Sequence, residues 1–304
     1  MTASVTVLMA TYDGARFLPD QLASIARQTQ PWQLIASDDG SADETPALLA
    51  GFTAAHPGRV EVTAGPRQGA AANFRTMLAA LPGDTGLAAL SDQDDVWADD
   101  KLARAVKALQ GIDGPALYCS RVTICDAGLR PLSLSRSPKR APSFRHAMVQ
   151  NMVQGNTVVL NRAALDLVAA ASPRTGPVVM HDWWLYQLVS GAGGRIIYDA
   201  HPSVLYRQHG GNVVGANDGA RSRLASLGRM LSGQHRDWSG ANLTAMTAAR
   251  PLLTPENQRL LDEFRALTGP NPLQRLAALS RGGFYRHGAL SQSALWVAAA
   301  LGRA

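Results

Sequence analysis

Leu87-Ala-Ala-Leu-Ser-Asp-Gln-Asp-Asp-Val-Trp97 runs from an apolar segment straight into three carboxylates, Asp92, Asp94 and Asp95. Carboxylates crowded at the end of a buried strand repel one another and lose hydration, so they are tolerated mainly when a cation sits among them. The stretch therefore predicts a strand ending in a metal site. Oxygen donors with no Cys or His in the segment suit Mg2+ or Mn2+, hard ions that usually hold a substrate phosphate, and argue against structural zinc. A competing reading is a solvated acidic turn before a helix, because Asp99 and Asp100 precede the periodic Leu102, Val106 and Leu109.

Outward from that stretch, short β-rich runs alternate with helical periods, the pattern of an open sheet covered by helices. Val5 to Met9 reads as a strand, and Phe17, Leu18, Leu22 and Ile25 mark one face of the following helix. Leu34 to Ser37 is the next strand, ending in Asp38-Asp39-Gly40-Ser41 ahead of an acidic helix start at Asp43 and Glu44. Val60 to Ala64 and Leu87 to Leu90 supply two more. Polar clusters thus close three strands, at Ala10 to Asp13, Asp38 to Ser41 and Asp92 to Asp95. Open α/β sheets bind ligands outside the carboxyl ends of their strands, which places the clusters on one rim. Neither a Gly-x-Gly-x-x-Gly fingerprint nor a Gly-x-x-x-x-Gly-Lys loop occurs. A nucleotide held here is gripped by carboxylates and a metal.

With 304 residues, 46% of them hydrophobic, the chain has room for a catalytic domain and an appendage. No run approaches the roughly 18 apolar residues of a membrane span and the N-terminus shows no signal pattern, so a cytoplasmic protein is expected. Cys119 and Cys125 lie on one strand-like segment without metal or redox spacing. The net charge of +6 is concentrated after residue 220, where eleven Arg face four acidic residues. That segment reads as short helices over 221–231, 238–249, 256–267, 273–279 and 290–301. A basic helical appendage faces anionic lipid, a phosphate-bearing acceptor or nucleic acid, or is simply solvated. Sparse aromatics and no nucleic-acid motif rank nucleic acid last.

Three motifs in order carry a resemblance: Val5-Thr-Val-Leu-Met-Ala-Thr-Tyr-Asp-Gly14, Ala36-Ser-Asp-Asp-Gly-Ser-Ala-Asp-Glu-Thr45 and Ser91-Asp-Gln-Asp-Asp-Val-Trp-Ala-Asp-Asp-Lys-Leu102. Together they resemble family 2 glycosyltransferases of the GT-A fold. The wording Ser-Asp-Gln-Asp-Asp-Val-Trp, with Tyr206-Arg-Gln-His-Gly-Gly-Asn212 downstream, is similar to bacterial rhamnosyltransferase-like members that build surface polysaccharides such as lipopolysaccharide. The implied architecture is an α/β, Rossmann-like mixed sheet flanked by helices, with a catalytic domain over 1–215 and a basic C-terminal helical region over 216–304.

The resemblance also implies roles. Ala10, Thr11 and Tyr12 line the nucleobase pocket, Asp39 accepts a base N–H, Asp92 binds ribose or assists the metal, and Asp94 ligates Mg2+ or Mn2+ bridging two phosphates. Asn73 belongs to a further nucleotide-side loop. Asp182, in Met180-His181-Asp182-Trp183-Trp184, is the general base. Family members usually carry an acidic pair there, and His181 replaces one acid. His181, Trp183 and Trp184 face the sugar, Gly155 and Asn156 meet its hydroxyls, Arg207 neutralises the departing nucleotide, and His209 reaches the metal.

The expected reaction is inverting transfer from a UDP- or dTDP-sugar, dTDP-rhamnose among the donors, to an oligosaccharide or lipid-linked saccharide. The C-terminal helices would touch the inner face of the cytoplasmic membrane. Two alternatives stand beside it: an inactive nucleotide-sugar-binding subunit, and a haloacid-dehalogenase-like phosphatase with Asp92 as nucleophile and Asp94 as acid/base.

Overall fold

Val5–Thr11 (β1), Trp32–Asp38 (β2) and Leu87–Ser91 (β4) are buried along most of their length, as strands covered on both faces must be. In the computed structural model, which describes residues 4–209 and 234–303, β1 pairs in parallel with β2 on one side and β4 on the other. Val60–Ala64 (β3) extends β2, also in parallel. The register sets Thr11 beside Asp38 and Met9 beside Ser91, so the carboxyl ends of β1, β2 and β4 share one rim, as the sequence predicts.

Val159–Asn161 (β8) turns the sheet, pairing antiparallel with β4 and with Ala116–Cys125 (β6). The long Arg195–Arg207 (β9) lies parallel to β6, and the two-residue β5, Val96–Trp97, pairs antiparallel with β9. A nine-stranded mixed sheet results, ordered β3-β2-β1-β4-β8-β6-β9-β5, with Pro131–Leu134 (β7) against β6. Its core is closed by Leu18, Leu22 and Ile25 of Leu18–Ala26 (α1) and by Leu102, Ala105 and Leu109 of Lys101–Leu109 (α4), packed with Trp32, Trp97 and Tyr118. Thr45–Ala55 (α2), Ala70–Ala80 (α3) and Arg162–Ala171 (α6) complete the helices of this unit.

The chain divides into two compact units, and the sheet unit uses residues up to 136, 153–170 and 195–209. The second unit is helical and takes residues 137–152 and 171–194 together with the C-terminal segment, so it draws on chain before residue 215, where the sequence suggests one boundary. It comprises Phe144–Ala147 (α5), His181–Gly191 (α7), Gln234–Ala248 (α8), Pro255–Ala266 (α9), Pro272–Gly282 (α10) and Ala289–Leu301 (α11). Thr254 and Asn271 cap α9 and α10 through their side-chain oxygens, each just before a proline that is already preset for the first turn. Left-handed Gly283 and Gly302 end α10 and α11. Four of the five C-terminal helices expected from periodicity are present, and that over 221–231 lies outside the described residues, as do Gly210 to Asn212. No described helix is long and apolar enough to cross a membrane.

Candidate active site

At the rim, Asp38 closes the β2 turn on itself. Its carboxylate accepts from the Ser41 amide at 3.0 Å, from Ser41 Oγ at 2.6 Å and from Thr11 Oγ1 at 2.9 Å. Asp39 works across the neighbouring loop, accepting the amides of Arg67 at 2.6 Å and Gly69 at 2.7 Å, one on each oxygen. Gly65 is required there, since a Cβ would lie 2.7 Å from Asp39 Oδ1. Tyr12, just after β1, is 59% exposed, while Thr11 is buried and Ala10 half-buried.

Gln93 fastens the acidic loop to this strand end. Its Nε2 donates to Tyr12 O at 2.8 Å and its Oε1 accepts from the Tyr12 amide at 2.9 Å, a two-point clasp like a short strand pairing. Carboxylate oxygens of Asp92, Asp94 and Asp95 lie within 4.8 Å of one another. Beside them, Asp94 Oδ2 meets His209 Nε2 at 2.7 Å. His209 is delivered by β9, which carries the chain past the acidic loop through its pairing with β5. Its ring also rests 4.7 Å from that of Phe17.

Asp95 differs from its neighbours because it is fully buried. Its carboxylate accepts from Asn156 Nδ2 at 2.5 Å and from the Arg207 amide at 3.1 Å. Burial pushes this carboxyl up to about 7, with the Asp94 charge adding to the effect. Lys101, buried with Nζ 3.7 Å above the Trp97 ring, is pushed down to about 7 by the same desolvation, against the attraction of Asp95. The Gln21 amide, oriented so that both its ends are satisfied, donates to Asp95 O at 2.7 Å and accepts from Ser91 Oγ and Trp97 Nε1. Asp95, Gln93, Gln21 and Lys101 thus hold the loop that Asp92 and Asp94 occupy, a framework that residue type alone does not reveal.

Several residues expected to meet ligand are committed elsewhere. Asn156 is 2% exposed and turned to Asp95, in the 3-10 turn Gly155–Thr157 where Gly155 itself stays half-buried. Arg207 is 3% exposed, its guanidinium donating to Asp94 O at 2.8 Å, Ala127 O at 2.7 Å and Asp20 at 2.9 Å, so it braces the loop rather than meeting a departing phosphate. Asn73 is fully buried and ties α3 to β2 through Ser37 O at 2.9 Å. In the helical unit, Trp183 and Trp184 are core residues rather than stacking faces, and Trp183 Nε1 donates to Ala147 O at 2.6 Å. His181 opens α7, where burial lowers its pKa. Asp182 follows in the first turn, half-exposed, its Oδ1 accepting the Trp183 amide at 2.7 Å; Met180, not Asp182, is the capping residue.

The carboxylates of Asp92, Asp94 and Asp95, with Asp95 buried and His209 adjoining Asp94, are hard oxygen donors of the kind that suit Mn2+ or Mg2+.

A family model described as Glycosyl transferase family 2 matches residues 6–163, just over half of the chain. A dTDP-rhamnosyl transferase, RfbG of Shigella flexneri, is 26% identical over 237 residues, covering 75% of this chain and 81% of the relative. S. aureus TarS, solved in complex with UDP-GlcNAc, is similar in structure with a TM-score of 0.54 at 15% identity, over 93% of each chain. The mannosyltransferase PcManGT from Pyrobaculum calidifontis, solved with GDP-Man and Mn2+, gives a TM-score of 0.50 at 20% identity, over 98% of this chain and 86% of its own. These likenesses bear out the GT-A architecture of the sheet and its helices.

Proposed function

From the premise that this chain belongs to glycosyl transferase family 2, we propose an inverting, divalent-metal-dependent enzyme that moves a sugar from a UDP- or dTDP-linked donor to a saccharide in bacterial surface polysaccharide synthesis. The observation that carries this reading is the 2.7 Å meeting of Asp94 and His209 beside Asp92, on the rim where Tyr12 presents its ring. A divalent cation held by Asp92, Asp94 and His209 would offset the charge that builds on the leaving diphosphate. Tyr12 offers a stacking face to the base, flanked by Ala10 and Thr11, and Asp39 retains lone pairs to accept a base N–H beyond its two backbone bonds.

Asp182 takes the acceptor hydroxyl proton as the new C–O bond forms at the anomeric carbon and the bond to the nucleoside diphosphate breaks, which inverts configuration. Similarity to a dTDP-rhamnosyl transferase favours dTDP-rhamnose as the donor. The basic C-terminal segment favours an acceptor carried on a membrane lipid at the cytoplasmic face.

Release of nucleoside diphosphate from dTDP- and UDP-sugars, with and without Mn2+, tests the reading. Asp94→Ala is expected to lower the Mn2+-dependent rate by roughly 100-fold or more. Asp182→Asn is expected to lower transfer by about 100-fold or more while donor affinity stays near that of the parent. Donor binding with no turnover across a broad acceptor panel would sink the enzymatic reading, and undiminished transfer in Asp182→Asn would require another base.

A further inference from the structure

Helix α11, Ala289–Leu301, buries Ala294, Leu295, Ala298 and Ala299 against the rest of the helical unit. Its other side leaves Leu290 67%, Trp296 38%, Val297 50% and Leu301 57% exposed. Positions 290, 297 and 301 fall within about 40° of one another on a helix of 100° per residue and form one stripe, with Trp296 about 100° farther round on the same exposed side. The Arg275 guanidinium donates to Ala299 O and Ala300 O, so the beginning of α10 lies against the end of α11.

Charge around the stripe has one sign. The last acidic residue of the chain is Glu263; of the five Arg over residues 264–304, Arg275 is buried, burial lowers the pKa of Arg286, and Arg281 pairs with Glu263. Helix α11 itself bears no charge. Near its beginning Arg140 sits 5.0 Å over the Tyr285 ring, beside exposed Lys139, and past its end stands exposed Arg303. The acidic residues of α9 are each engaged by an arginine, Glu256 by Arg145, Asp262 by Arg250 and Glu263 by Arg281.

We propose that the exposed face of α11 is a docking surface for the anionic face of a lipid bilayer. Leucine, valine and tryptophan enter the acyl boundary in the plane of the membrane while the flanking cations meet lipid phosphate. At 13 residues the helix is about 20 Å long and lies in the interface rather than spanning it. A second copy of this chain fits the face less well, since self-association would press two acid-free, arginine-bearing segments together. The inference deepens the reading of a membrane-borne acceptor, and its test scores vesicle binding separately from sugar transfer so that either can fail alone.

Full-length protein is sedimented with vesicles of phosphatidylcholine, with and without phosphatidylglycerol, at low and high salt. Preferential, salt-sensitive binding to the anionic vesicles is expected, weakened about tenfold or more in Val297→Glu/Leu301→Glu. Leu132→Glu, at an exposed leucine of β7 in the other unit, is expected to bind as the parent does. Nucleotide release in the absence of lipid is expected to be unchanged in the double variant. Equal binding by the double variant, or no binding to anionic vesicles, would overturn the proposal. Concentration-dependent dimerisation in analytical ultracentrifugation that the same substitutions abolish, without vesicle binding, would assign the face to a second copy instead.

Discussion

Asp95 bears a carboxylate in a place where water cannot reach it, and Asn156 and the Arg207 amide are what make that tolerable. Removing the Asn156 amide leaves a buried acceptor short of a donor, so Asn156→Ala is expected to cost about 1.5–3 kcal/mol in denaturant unfolding. An Asn156→Ala protein as stable as the parent would show that Asp95 is satisfied without it. Residue type sets Asp92, Asp94 and Asp95 in one acidic run, with the resemblance giving roles to Asp92 and Asp94, and it reads Asn156, Arg207, Trp183 and Trp184 as ligand-facing. Their chemistry is the same whether a side chain turns to a sugar or to a neighbour, and only burial decides. Asp94 and His209 could be paired from sequence through the resemblance, although 115 positions separate them.

Gln93 links two elements, the end of β1 and the loop after β4, through both ends of one amide. Gly14 makes room for it, because a Cβ there would stand 2.1 Å from Gln93 Oε1. Gly14→Ala and Gln93→Ala are each expected to weaken nucleoside diphosphate binding about tenfold, and the double variant no further, because both remove one clasp. Additive losses in calorimetric titrations would mean that Gly14 and Gln93 act separately. β1 through β4 were legible as apolar runs closed by turn residues. β9 was not: its burial alternates poorly, Pro202 interrupts it, and its register against β6 shifts near Ser120 and Arg121. β5 has two residues and no periodic signal at all. The strand that delivers His209 was therefore hidden, while the strands that carry the acidic clusters were plain.

Across the whole molecule, the helical unit carries its own response to acid. His146 is fully buried among Tyr186, Tyr285, His287 and Gln150, and burial, with the charges of His287 and Arg286 adding, pushes its pKa down to about 3. A folded pKa below the unfolded value favours the neutral ring, so this contribution is present above about pH 6.5 and is lost as pH falls toward 3. Stability is expected to drop by up to about 1.4 kcal/mol per pH unit from this group below pH 6, with a shallower slope in His146→Gln. Identical slopes would remove His146 from the account. The division into two units was only half legible, because residues 137–152 and 171–194 join the C-terminal helices without any change in composition to announce it. At this scale the central claim is that the rim of the sheet grips a nucleotide through a divalent ion. Calorimetric titration of dTDP or UDP into the protein with and without Mn2+, for the parent and Asp94→Ala, tests it most directly. Binding that depends on Mn2+ and disappears in Asp94→Ala is the expected result, and binding indifferent to both the ion and the substitution would contradict it.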